Sequence, residues 1–130
     1  MGIEFEISTI IPVTPEEVYA AWLDSEKHAS MTGGGASIHA QVGAEFEAWD
    51  GYITGRNLEL DPGKRIVQSW RTLEFQEAEA DSRIEVTLEP IAGGTRLTLR
   101  HTNLPPHGMQ YKQGWVDSYF EPMLAYFQQV

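Results

Sequence analysis

The hydrophobic period changes from 2 to 3.6 once in this chain, with Pro105-Pro106 at the change. Upstream, Ile84, Val86 and Leu88 alternate with Arg83, Glu85, Thr87 and Glu89, and Leu97 and Leu99 alternate with Arg96, Thr98 and Arg100. That is the pattern of half-buried strands. Downstream, Tyr111, Trp115, Tyr119 and Tyr126 recur near helical spacing, and Val116, Phe120, Met123, Leu124 and Phe127 widen the apolar face. A helix from about residue 110 to 128 would be about 28 Å long. Pro122 removes one of its hydrogen bonds and predicts a kink near Ser118. So aromatic a helix needs cover, and a curved sheet is the only element large enough to supply it. The expected class is α+β, with an antiparallel sheet wrapped around a terminal helix.

The remaining segments fit that plan. Ile3, Phe5 and Ile7 alternate with Glu4, Glu6 and Ser8 as a first strand. Thr14-Pro15-Glu16-Glu17 reads as a helix start, with Thr14 as cap and Pro15 at the first helical position. Asp24 or Ser25 caps a second short helix running towards Met31, and Gly33-Gly34-Gly35 ends it. Residues 36–40, 45–49, 52–60, 65–71, 83–89 and 95–101 all read as extended. With the first segment that makes about seven strands, joined by turns such as Asp50-Gly51 and Asp61-Pro62-Gly63.

The 130 residues suit one domain, residues 1–130. A net charge of -10 opposes binding to nucleic acid or to anionic lipid. No run reaches the roughly 20 apolar residues of a membrane span, and the first residues lack the pattern of a signal peptide. There are no cysteines, hence no disulfides and no thiol chemistry. A cytoplasmic protein is expected. Up to Gly55 there are nine acidic residues and one basic residue, Lys27. This is read as a carboxylate-rich outer sheet face, with a docked basic partner as the alternative.

Five blocks carry a family resemblance: Phe46 to Gly55, Leu58 to Pro62, Arg65 to Arg71, Gly94 to Leu99, and Gly114-Trp115 with Tyr119-Phe120. In order and spacing they resemble the C-terminal domain of the activator of the Hsp90 ATPase and its stand-alone bacterial relatives, within the START-like superfamily. The resemblance implies a helix-grip fold. It also implies a chaperone of the Hsp90 type as one partner and a hydrophobic small molecule, held between helix and sheet, as another. The eukaryotic co-chaperone carries a separate N-terminal domain for which this chain has no room, so ATPase activation is not carried over. Phe75 stands near the place where the family usually has a Trp.

Eight residues are candidates for a ligand cavity: Trp49, Gln68, Trp70, Phe75, His101, Trp115, Tyr119 and Met123. Trp49 belongs at the mouth, beside the Asp50-Gly51 turn. Gln68 and His101 lie in phase with apolar neighbours, where inward polar groups can orient a ligand or satisfy backbone groups. Arg71, opposite Trp70, is expected to face solvent and pair with a carboxylate. No cofactor or metal is expected, since His39, His101 and His107 match no metal-ligand spacing. No Gly-x-Ser-x-Gly elbow is present. The leading expectation is non-enzymatic binding of a small hydrophobic ligand in a stress- or chaperone-related setting. The alternatives are a chaperone-binding interaction module, or a cyclase, dehydratase or hydrolase acting on a hydrophobic substrate. Either monomer or homodimer is compatible with the sequence.

Overall fold

The computed structural model describes residues 3–128. Strand β1 (Ile3–Ile11) is followed by helices α1 (Pro15–Leu23) and α2 (Ser25–Thr32). Five strands come next: β2 (Glu45–Ala48), β3 (Ile53–Asp61), β4 (Arg65–Thr72), β5 (Ser82–Ile91) and β6 (Gly94–Leu104). The chain closes with α3 (Gln110–Trp115), a π-helical turn (Val116–Phe120) and α4 (Glu121–Gln128). The sheet order is β1-β6-β5-β4-β3-β2, and every neighbouring pair is antiparallel.

The described sheet has six strands rather than about seven. Residues 36–40 form no strand; Ser37 makes a single bridge to Glu47 beside β2. Their alternation is genuine, for Ile38 is buried between exposed neighbours. However, the Ile38 N–H and carbonyl point away from β2 and are taken up by Ser25 Oγ at 2.8 Å and 3.1 Å. The His39 carbonyl, next in register, goes to Asn57 Nδ2 at 2.7 Å and the Gln41 N–H at 2.8 Å, so the pairing stops at one bridge.

Local chemistry sets the short helices. Thr14 Oγ1 accepts the Glu17 N–H at 3.2 Å with Pro15 behind it, and Asp24 accepts the Lys27 N–H at 2.9 Å. On the inner sheet face Ile66, Ile84, Val86, Leu97 and Leu99 are buried almost completely. The opposite face carries cross-strand ion pairs: Arg56–Glu45 at 2.8 Å, Arg65–Glu59 at 2.9 Å and Arg96–Glu89 at 3.0 Å. Exposed pairs like these add at most about 1 kcal/mol each.

The terminal helix lies against the inner face. Its Tyr111 and Trp115 rings meet the Trp70 ring of β4 at 5.0 Å and 5.5 Å. The expected irregularity falls where Pro122 demands it. The Glu121 N–H donates five residues back, to the Val116 carbonyl, and the axis widens by one residue over Val116–Phe120. Proline cannot donate to Ser118, and its ring crowds that carbonyl; a π-turn relieves both constraints.

Candidate functional site

The interior between sheet and helix is filled by apolar and aromatic side chains, and three polar chains run through it. His101, fully buried on β6, uses both ring nitrogens within the core. Ser82 Oγ donates to the Trp70 carbonyl at 2.6 Å, so His101 Nε2–H must donate to Ser82 Oγ, at 2.8 Å. That fixes Nδ1 as an acceptor, and Trp115 Nε1 donates to it at 3.0 Å. Burial pushes the His101 pKa down to about 3, so the ring is neutral. Gln68 likewise spans the core. Its Oε1 accepts Trp22 Nε1–H at 3.2 Å, and its Nε2 donates to Asn57 Oδ1 at 2.8 Å. Asn57 then donates to the His39 and Gln41 carbonyls, anchoring that loop.

A third chain runs through His28. Its Nδ1–H donates to the Trp22 carbonyl at 2.8 Å, leaving Nε2 to accept from the Tyr119 hydroxyl, also at 2.8 Å. Burial holds the imidazole below its ordinary pKa, and the bond to the carbonyl opposes this only in part. Burial raises the Tyr119 phenol, which therefore remains a donor. Between Trp22, His28, Gln68 and Tyr119 there is about 10 Å³ of free space, room for one water at most.

An aromatic-lined space lies at the flank of the helix. A groove of about 440 Å³ runs between α3 with the π-turn on one side and the start of β3 with the turn before it on the other. Six aromatic residues line it: Trp49, Tyr52, Trp70, Tyr111, Trp115 and Tyr119. Ile53, Gln110, Gly114 and Ser118 complete the wall, and none of the lining residues is cationic. On the helix, Gln110, Gly114 and Ser118 recur every four residues and form a polar or small stripe beside the inward Tyr111, Trp115 and Tyr119. At one end Tyr111 Oη and Thr72 Oγ1 are 2.7 Å apart, and the Tyr52 hydroxyl bonds the Glu74 carboxylate. Burial and that carboxylate both raise the Tyr52 phenol.

The turn at the other end is strained. Trp49 and Asp50 have φ of 53° and 57°, and Gly51 follows at 90°. Positive φ is uncommon for any residue with a Cβ and an outlier for a bulky one. The triple-glycine loop supports this turn from outside: a Cβ on Gly34 would lie 2.5 Å from the Trp49 ring, so only glycine allows the approach. Trp49 Nε1 is buried without a hydrogen-bond partner of ordinary geometry; the polar group facing it is the Tyr119 hydroxyl.

Of the eight candidate residues, the structure brings Trp49, Trp70, Trp115 and Tyr119 together around the groove. The other four do not line it. Gln68 and His101 face inward as their phase requires, but their polar atoms are engaged by Trp22, Asn57, Ser82 and Trp115. Phe75 packs on Trp70 and Tyr111 behind the groove, and Met123 is fully buried. Arg71 turns outward and holds the loop after β4, bonding Asp81 at 2.7 Å and the Glu79 and Gln76 carbonyls. Sequence reasoning missed Tyr52, Gln110, Gly114 and Ser118 as groove residues and His28 as the partner of Tyr119. Gly114, inside an aromatic helical run, was the available signal.

Residues 12–128 match the family described as Activator of Hsp90 ATPase homolog 1-like protein. The chain belongs to this family. Among the relatives of this Activator of Hsp90 ATPase homolog 1-like chain is the human "Activator of 90 kDa heat shock protein ATPase homolog 1". It is 31% identical over 109 residues, which cover 83% of this chain and 32% of that protein. The chain thus spans about a third of the length of the curated relatives it matches. Among solved structures, an HSP90 activator from Plasmodium falciparum superposes with a TM-score of 0.85 at 25% identity, over 95% of each chain. The Aha1 dimer from Colwellia psychrerythraea gives a TM-score of 0.77 at 16% identity, covering 96% of this chain and 93% of that one, a likeness of fold. The α+β helix-grip architecture is common to them. Among the described residues no helix is long and apolar enough to cross a membrane, and no group of three or more His, Cys, Asp or Glu is placed to hold a metal.

Proposed function

We propose that this chain is a non-enzymatic, chaperone-associated interaction module of the Hsp90 co-chaperone type, acting in the cytoplasm. The likeness to the human activator, at 31% identity over most of this chain, carries the reading. The Plasmodium falciparum activator adds to it with a matching fold over nearly its full length. The proposal is confined to binding, because the shared region is a third of the human protein. The site chemistry agrees: both buried histidines that could serve as bases are committed to core hydrogen bonds. With a charge of -10, attraction to a basic face of the chaperone should dominate encounter. The test is a pull-down with the Hsp90-type chaperone of the same organism. A complex at low salt that weakens as salt is added supports the reading; no complex at low salt overturns it.

A second reading is binding of a small hydrophobic ligand in the groove, with Trp49, Trp70, Trp115 and Tyr119 as its contacts. The volume supports it, since about 440 Å³ falls within the range of roughly 300–1,000 Å³ usual for small-molecule sites. Saturable quenching of tryptophan fluorescence by members of an apolar compound library is the expected result, and a flat response across the library removes this reading.

A further inference from the structure

Four costly local features converge on the groove. Gly114 lies inside α3, where glycine costs about 1 kcal/mol relative to alanine. A Cβ built there would meet no heavy atom within 4 Å, so close packing does not require glycine. The missing side chain is floor space in the groove. One turn later the helix is π-helical and Ser118 joins the same wall, and such turns recur at functional sites. Across from them Trp49 and Asp50 hold left-handed backbone, a conformation that costs about 1–3 kcal/mol per residue and clusters at ligand clamps. The Trp49 indole is the fourth: its buried N–H has only the Tyr119 hydroxyl opposite it, outside ordinary hydrogen-bond geometry.

The chemistry of the surroundings selects the occupant. The floor is aromatic and uncharged, and the apolar surface continues past it: Leu73 is 76% exposed and Met109 48%. Leu73 is tied to the Tyr52 carbonyl at 3.0 Å, and Met109 directly precedes Gln110 of the groove wall. A surface extending along the rim in this way suits a chain segment better than a compact molecule. At the same end the Glu74 carboxylate, bonded to Tyr52, supplies negative charge with no lining cation to neutralise it. We propose that the groove docks an extended peptide segment of a partner protein, seating one large apolar side chain over Gly114 and placing a Lys or Arg beside Glu74. The inference rests on the interaction-module reading only for the class of partner.

Random dodecapeptides displayed on phage, selected on the purified chain, test it. Enrichment of sequences that join a large apolar residue to Lys or Arg is expected. Synthetic copies should bind roughly tenfold more weakly to Gly114→Leu, which fills the floor, and several-fold more weakly to Glu74→Lys. Gln110→Trp, which narrows the groove from an exposed position, is the second blocking variant should Gly114→Leu fold poorly. No enrichment overturns the proposal, as does equal binding to the blocking variants. Saturation by the apolar dye 1-anilinonaphthalene-8-sulfonate without any selected peptide also overturns it and makes the groove a small-molecule site. Peptide selection does not depend on the chaperone. Failure of the chaperone pull-down alongside successful selection would therefore reject the proposed function and leave this inference standing.

Discussion

Lowering the pH from 7 to 5 should destabilise this protein through its buried imidazoles. His101 has its pKa held at about 3 by burial, whereas in the unfolded chain it titrates near 6.5. A pKa depressed in the folded state means that the unfolded chain binds the extra proton throughout the window between the two values. The stabilisation is therefore complete above about pH 6.5 and is lost progressively as pH falls towards 3. Integrated to pH 5, His101 alone removes about 2 kcal/mol, and His28, shifted in the same direction by the same cause, adds to the loss. Most carboxylates titrate below this range, so the interval from pH 5 to 7 reports mainly on histidine. Urea unfolding followed by tryptophan fluorescence at several pH values gives the slope, and NMR titration of each imidazole assigns it. A stability unchanged between pH 7 and 5, or a folded-state His101 titrating near 6.5, would refute the burial of a neutral His101 in the core.

Three substitutions probe the rest of the framework by urea denaturation. Gln68→Ala leaves the Trp22 indole N–H and the Asn57 side-chain Oδ1 without partners in the core, and a loss of about 2–4 kcal/mol is expected. Gly34→Ala drives a methyl into the Trp49 ring; it should cost about 1–3 kcal/mol and alter the fluorescence of Trp49. Thr14→Ala removes the cap of α1 and should cost about 1 kcal/mol with no change in groove binding.

The strands were legible where one face is buried and the other solvated. β5 and β6 carry that alternation almost without exception, and the shift to helical spacing after Pro106 located the terminal helix. Residues 36–40 show the limit of the method. Alternation reports which face is buried, not whether backbone groups find a neighbouring strand, and past Ser37 the His39 carbonyl is held by Asn57 Nδ2 and the Gln41 N–H instead of β2. The same limit explains Gln68 and His101. Phase placed them inward correctly, but their partners, Trp22 and Trp115, stand on other elements and are supplied only by the fold. The groove was partly visible through its tryptophans. Tyr52, Gly114 and Ser118 have no common local pattern, because β3's leading turn and the widened helix meet only in three dimensions.

The most direct test of the account is to titrate the isotope-labelled protein with the Hsp90-type chaperone and map the perturbed NMR signals. The account predicts that changes concentrate at Trp49, Tyr52, Gln110, Gly114 and Ser118, including the Trp49 indole proton. Changes confined to the ion-paired outer face around Arg65, Glu85 and Arg96, or no change at low salt, would contradict it.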